Sequence, residues 1–301
     1  MKSNVYWPIY KNIEGEFNRL MFDIHIDDNQ LCVYSSKISD LILRAAAEIE
    51  SLSKELYLIS GGPKRTKIKY DEDALAFLNS KWRIENKTVI ISSYNCFVSE
   101  KELKPFMKNE KRTGSGYLTY SWNNAYQNLK HDRAKSLKFG SVKYLFDVTA
   151  ALFLLNIYYN DLQFDLGKDN LATKFDDSLG SSIYAIKLHN SGVINADILY
   201  TKNPNFDECT YLLKITDETY LPAQQVVKKI NDELSQLANQ QAADAIRNIS
   251  LGAPIEEGVN TALCSHVIES YREISIRKLA MANVSAFQQM QYEAVLNKNQ
   301  F

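Results

Sequence analysis

From Ser35 to about Tyr57 the apolar positions recur at helical spacing. Ile38, Leu41, Ile42, Ala45, Ile49, Leu52 and Leu56 form one stripe, flanked by Lys37, Arg44, Glu48, Ser51 and Glu55. This pattern predicts an amphipathic helix, capped by Ser35 or Ser36 and stopped by Gly61-Gly62-Pro63. Shorter helices are expected over residues 9–26, before the turn Asp27-Asp28-Asn29, and over 73–81. Two longer ones follow, at about 120–138 and 141–160. The first puts Trp122, Ala125, Tyr126, Leu129 and Leu137 on one face, with Asn124, Gln127, Asn128, His131 and Lys135 opposite. The second carries Val142, Leu145, Phe146, Ala150, Phe153, Leu154 and Ile157 and is so apolar all round that it belongs at the centre. The break at Phe139-Gly140-Ser141 between them implies an antiparallel helical hairpin.

Strand patterns are shorter. Residues 87–93 are β-branched and predict a strand, paired with 95–98. Residues 64–69 read as a basic loop, and 104–118 as a polar loop holding Lys104, Lys108, Lys111 and Arg112. After Asp161 the texture changes: 161–180 is polar and irregular. Strands are then expected at 182–189, 193–200 and 210–216, the first two joined by Asn190-Ser191-Gly192. Long helices follow at 222–248 and 256–297. The fold class is therefore α+β and mostly helical. A helical bundle over 1–160 carries a small β insertion at about 86–100, and 161–301 forms a β-hairpin region with C-terminal helices.

Composition narrows the function classes. The chain has 301 residues and a net charge of -1, so no global electrostatic pull on nucleic acid exists and any such contact needs a local patch. Four cysteines and four histidines are dispersed without ligand spacing, so neither a metal nor any other cofactor is expected. Gly61-Gly62 and Gly114-Ser115-Gly116 lack the lysine-serine ending of a phosphate loop, and no nucleophile elbow surrounds any serine. The N-terminal residues carry no apolar signal core, and the run Val148 to Tyr159 is short for a bilayer span. A cytoplasmic protein without membrane contact is expected.

The segments Tyr34 to Ile38, Glu48 to Lys54, Trp122 to Arg133 and Ala150 to Leu155 resemble bacterial helical proteins of the HEPN type (higher-eukaryote and prokaryote nucleotide-binding). The resemblance covers about residues 1–160. It implies an up-and-down helical bundle, usually dimeric, and often a metal-independent ribonuclease of toxin–antitoxin or phage-defence systems. Active members carry an arginine upstream of the catalytic histidine. The corresponding positions here hold Asn124, Ala125 and Tyr126. His131 matches the motif histidine and is the candidate acid/base. Lys130 and Arg133 would supply charge, and Asn128 and Glu48 would orient them. Asn124, Gln127 and Lys135 would contact RNA, in a cleft shared by a homodimer.

Each of these residues has a plainer reading. His131 fits a solvated helix face, and Arg133, projecting with Trp122 and Leu129, fits a buried ion pair with Glu48 or Glu50. The competing class is a non-catalytic interaction or sensor module that engages a protein partner through its C-terminal region.

Overall fold

The computed structural model describes residues 4–91, 97–190, 202–250, 272 and 290–300. It is α+β. Helix α1 (Tyr6–Asp23) leads into α2 (Ser36–Ile59), whose first turn is closed by Ser35 Oγ accepting from Ile38 N at 3.1 Å. Every residue of the Ile38 to Leu56 stripe is buried. At the far end, Gly61 takes a φ of +85° and Gly62 N donates to Tyr57 O at 2.8 Å, a left-handed stop that a side chain would strain.

A wide turn (Tyr70–Leu75) runs into α3 (Ala76–Trp82). Strand β1 (Val89–Ile91) follows, then β2 (Lys101–Leu103), β3 (Lys108–Lys111) and β4 (Leu118–Tyr120). Helix α4 (Ser121–His131) is joined to α5 (Val142–Asn160) by turns. Beyond Asn160 come β5 (Phe164–Gly167), β6 (Tyr184–Ile186), β7 (Leu188–Asn190), β8 (Tyr211–Ile215), α6 (Asp217–Ser250) and β9 (Tyr292–Leu296).

Helix α5 is the axis of the molecule and packs on α1, α2 and α4. By length and composition Val142–Asn160 could cross a membrane, which the shorter run noted in the sequence could not, yet most of it lies buried inside the protein. Its core partners include Tyr10, Phe17, Ile49, Leu52, Trp122 and Leu129. The same cluster takes in Ile183, Tyr184, Tyr211 and Leu296, so one apolar core runs across the expected boundary at residue 160.

Several expected elements are corrected. The described partners of β1 lie further along the chain than 95–98. They are β2 and, from 95 residues further on, β6, giving an antiparallel sheet in the order β2-β1-β6. The single strand expected over 182–189 is divided at Lys187, because β6 completes that sheet while β7 pairs in parallel with β8. The helix expected to reach 297 gives way at 292–296 to β9, which fills the gap between β5 and β8 in the sheet β5-β9-β8-β7. Backbone groups there are satisfied by strands distant in sequence, and such partners override a weak local helical preference. Helix α6 starts at Asp217 rather than at Pro222, with Asp217 and Glu218 suiting the positive end of its dipole. The expected strand at 193–200, the turn before it and most of the helix from 256 lie outside the described residues, as do positions 92–96 of the first strand pair.

Candidate functional site

Residues 104–118, expected as a polar loop, fold into a two-stranded hairpin with register Lys108↔Tyr120, Glu110↔Thr119 and Lys111↔Leu118. Gly114 and Gly116 adopt φ of +83° and +71° in its turn, where a Cβ would be strained. The hairpin lies against the polar face of α4, and side-chain amides hold it there. Asn124 is buried. Its Oδ1 accepts from Thr113 N at 3.0 Å, and its Nδ2 donates to Glu110 Oε1 at 2.7 Å. Asn128 Nδ2 donates to Thr113 Oγ1 at 3.1 Å and to Asn124 O at 2.8 Å. Glu110 Oε1 also accepts from the Tyr144 hydroxyl at 3.0 Å, which ties the hairpin to α5.

The rest of α4 is equally well defined. Trp122 stacks on Tyr120 with ring centroids 5.6 Å apart and donates from Nε1 to Pro105 O at 2.9 Å. Asn123 Oδ1 accepts from the Tyr70 hydroxyl at 2.5 Å, and Gln127 Nε2 donates to that same hydroxyl at 3.0 Å. Burial pushes the Tyr70 phenol well above its ordinary range, so it stays protonated and able to donate. Lys130 Nζ donates to the Tyr126 hydroxyl at 3.1 Å, and this contact raises the lysine.

Beneath the hairpin sits Asp147, the only carboxylate in α5. It is buried and accepts from Ser121 Oγ at the start of α4. Burial raises its pKa to about 6; the Ser121 hydrogen bond and the Lys143 charge oppose that rise, while Glu110 adds to it. A lone acid in a near-continuous apolar helix is visible in the sequence. Its role as an anchor for α4 was nonetheless missed, as were the roles of Glu110, Thr113, Tyr144 and Tyr70.

The structure brings Asn124, Asn128 and the hairpin together and places His131 about one turn beyond Asn128, at the end of α4. His131 is exposed and, among the described residues, its side chain makes no hydrogen bond or ion pair. Lys135 is exposed and pairs with Asp132 at 3.5 Å. Glu48 is half-buried on α2 and is bonded to neither His131 nor Arg133.

Arg133 corrects the sequence reading. It is 39% exposed and pairs with Asp40 at 2.8 Å and with Ser36 O at 3.1 Å, rather than with Glu48 or Glu50. Helix α4 stops at His131 instead of reaching 138, with Asp132 at φ -149°. The chain therefore leaves the helical path before Arg133 and meets the first turn of α2. Leu137, expected on the buried face, is exposed for the same reason. Arg133→Ala is accordingly expected to cost at most about 1 kcal/mol in urea unfolding, the scale of an exposed pair. A loss of ~3 kcal/mol would instead mark a buried one.

Outside this anchored layer the surface is basic and partly apolar. Lys108, Lys111, Arg112, Tyr117 and Leu118 of the hairpin are exposed, as are Lys130 and Lys138. Among the described residues no group of three or more His, Cys, Asp or Glu side chains is placed to hold a metal. His189 is buried, its Nε2 accepting from Asn203 N at 3.1 Å, and burial lowers its pKa. Comparison with protein-family models, with curated proteins and with solved structures gives no match to this chain.

Proposed function

We propose that the protein binds single-stranded RNA across the exposed side of the β3–β4 hairpin and the end of α4, with metal-independent cleavage centred on His131. One observation carries this reading. The Asn124–Glu110–Thr113–Asn128 network fixes, on the helix that ends at the exposed His131, a hairpin whose Lys111, Arg112 and Tyr117 are exposed. Basic groups that track a backbone, beside an aromatic face on which a base can stack, are the recurring parts of single-strand recognition. They also meet the need, set by the near-neutral chain, for a local patch.

In the cleavage step His131 takes the proton of a 2′-hydroxyl, whose oxygen attacks the adjacent phosphorus; the P–O5′ bond breaks, the 5′-oxygen leaves as a hydroxyl by taking a proton from water, and a 2′,3′-cyclic phosphate remains. Arg133 is held by Asp40 and Lys130 by Tyr126, so positive charge for the transition state comes from the hairpin or from a second copy of the chain. Homodimerisation belongs to the proposal on that ground. A setting in phage defence rests on the HEPN resemblance alone.

The test is fluorescence anisotropy with a labelled single-stranded RNA over a range of salt. Lys111→Glu with Arg112→Glu should weaken binding at least about tenfold and flatten the salt dependence, each lost phosphate contact removing roughly 0.7 from the log–log slope. Tyr117→Ala should cost roughly 1–3 kcal/mol if a base stacks there. His131→Ala should leave affinity unchanged and abolish cleavage, and EDTA should have no effect. RNA affinity that ignores the hairpin variants would overturn the reading.

A second reading, a non-catalytic interaction module, is favoured by one observation: the amides of Asn124 and Asn128 are occupied in anchoring the hairpin. Binding without cleavage, indifferent to His131→Ala, would select it.

A further inference from the structure

At the opposite end of α5, a cavity of about 180 Å³ opens between the start of α1, the last turn of α5 and the segment around β5. Trp7, Phe164 and Tyr211 line it with their aromatic side chains, Ile157, Leu162 and Leu179 add aliphatic walls, and Asp176 is the single charged group. No lysine, arginine or histidine lines it among the described residues. The walls are held from behind. The Tyr211 hydroxyl donates to Leu162 O at 3.0 Å, so that phenol is already engaged. Phe175 packs against both Phe164 and Tyr211, at 5.5 and 5.4 Å between ring centroids. The Asn160 side chain is joined to that of Asn4, which closes one edge.

Asp176 is exposed and keeps its Oδ1 busy, accepting from Ser178 N at 3.0 Å and from Ser178 Oγ at 2.6 Å. These bonds set the carboxylate in place while Oδ2 accepts no hydrogen bond among the described residues. The neighbouring Asp177 is raised by burial and then by the charge of Asp176, as a locally negative field requires.

We infer that this cavity binds a quaternary or methylated ammonium group, held among Trp7, Phe164 and Tyr211 and neutralised by Asp176. The chemistry excludes the alternatives in turn. An anion would meet a carboxylate and no cation. A bare ammonium is strongly hydrated, and three rings with aliphatic walls cannot replace its water. A neutral apolar group would fit the walls but gain nothing from Asp176. A methylated ammonium carries a diffuse, weakly hydrated charge that ring faces attract and that an acid at the rim complements. The size is suitable, since apolar cavities of roughly 150 Å³ admit a benzene-sized molecule. The site shares no residue with the hairpin surface, so its test is independent of RNA binding.

Isothermal titration of the whole chain with choline chloride, and in parallel with 3,3-dimethyl-1-butanol, its neutral carbon isostere, tests the assignment. Choline should bind saturably, and the isostere about tenfold or more weakly, the scale of a cation–π contact. Asp176→Asn retains the Oδ1 acceptor for Ser178 and should weaken choline roughly two- to fivefold. Trp7→Phe keeps an aromatic residue in the first turn of α1 and should weaken it further, with circular dichroism confirming the fold. A third titration, with a trimethyl-lysine peptide against its unmethylated form, distinguishes the source. Tighter binding of the methylated peptide than of choline points to a modified protein tail, and the reverse to a free small cation. Equal affinity for the isostere, absence of choline binding, or binding indifferent to both variants would overturn the inference.

Discussion

Phe153→Ala should lower the unfolding free energy by about 3–5 kcal/mol, the range for emptying a fully buried aromatic site. Phe153 lies on α5 with none of its surface exposed, and its ring sits 5.6 Å from Tyr10, 5.7 Å from Tyr184 and 6.4 Å from Trp7. Those three rings belong to α1 and β6, and the two tyrosines have hydrogen-bond commitments of their own. The Tyr10 hydroxyl donates to Glu14 at 2.8 Å, and the Tyr184 hydroxyl donates to Phe146 O at 3.0 Å. They cannot collapse into the space without breaking those bonds, which places the expected cost toward the top of the range. Urea denaturation of both forms measures it, with the slope m checked for a common unfolded state. Phe153→Leu, retaining most of the volume, should cost less than alanine. A loss below about 1 kcal/mol for alanine would mean that α5 is not the centre of this core.

The second large effect is a pH dependence. Asp147 has a pKa of about 6 in the folded protein because burial raises it. In the unfolded chain an aspartate returns to roughly 3.9. A carboxyl group raised on folding favours the native state fully below the unfolded value, and that contribution is lost as pH rises through the folded one. The window is therefore about pH 4 to 6, and two pKa units correspond to roughly 3 kcal/mol. Asp147→Asn has no such titration, while its Oδ1 can still accept from Ser121. The stability of the variant relative to the parent should rise by about 2.4 kcal/mol between pH 4 and pH 7.5 in paired urea titrations. A difference flat across that interval would show that Asp147 is hydrated in the folded protein. Because Ser121 opens α4, the same titration reports on how firmly the helix that carries His131 is seated.

Helices α2 and α5 and the core residues Ile49, Leu52, Trp122, Leu129, Phe146 and Phe153 were legible because their pattern is local. An apolar stripe at helical spacing needs only the chain within a few turns to declare itself, and Ser35 and Gly61 mark the ends of α2 with caps of known geometry. The hairpin at 108–120 was not legible. Lys108-Asn109-Glu110-Lys111 has no apolar alternation, and what makes it a strand is the ladder to β4 together with the Asn124 and Tyr144 contacts of Glu110. Strand β9 was read as helix because its partners, β5 and β8, lie about 80 residues or more upstream.

The candidate site divides along the same line. The order of residues was enough to show that α4 has an apolar and a polar face and that Lys130, His131 and Arg133 gather near its end. It could not show what lies against the polar face. An amide such as Asn124 has the same helical phase whether it faces RNA, water or a hairpin, and only the hairpin's arrival decides that it is buried and used as an anchor. The course of Arg133 likewise depended on where α4 ends. A difference of a few residues in helix length exchanges a buried carboxylate partner for the exposed Asp40. Short-range periodicity thus determined which helices form and which residues fill the core. Long-range pairing decided which polar groups remain free to act, because a hydrogen-bonding group will take any partner that the rest of the chain brings within reach.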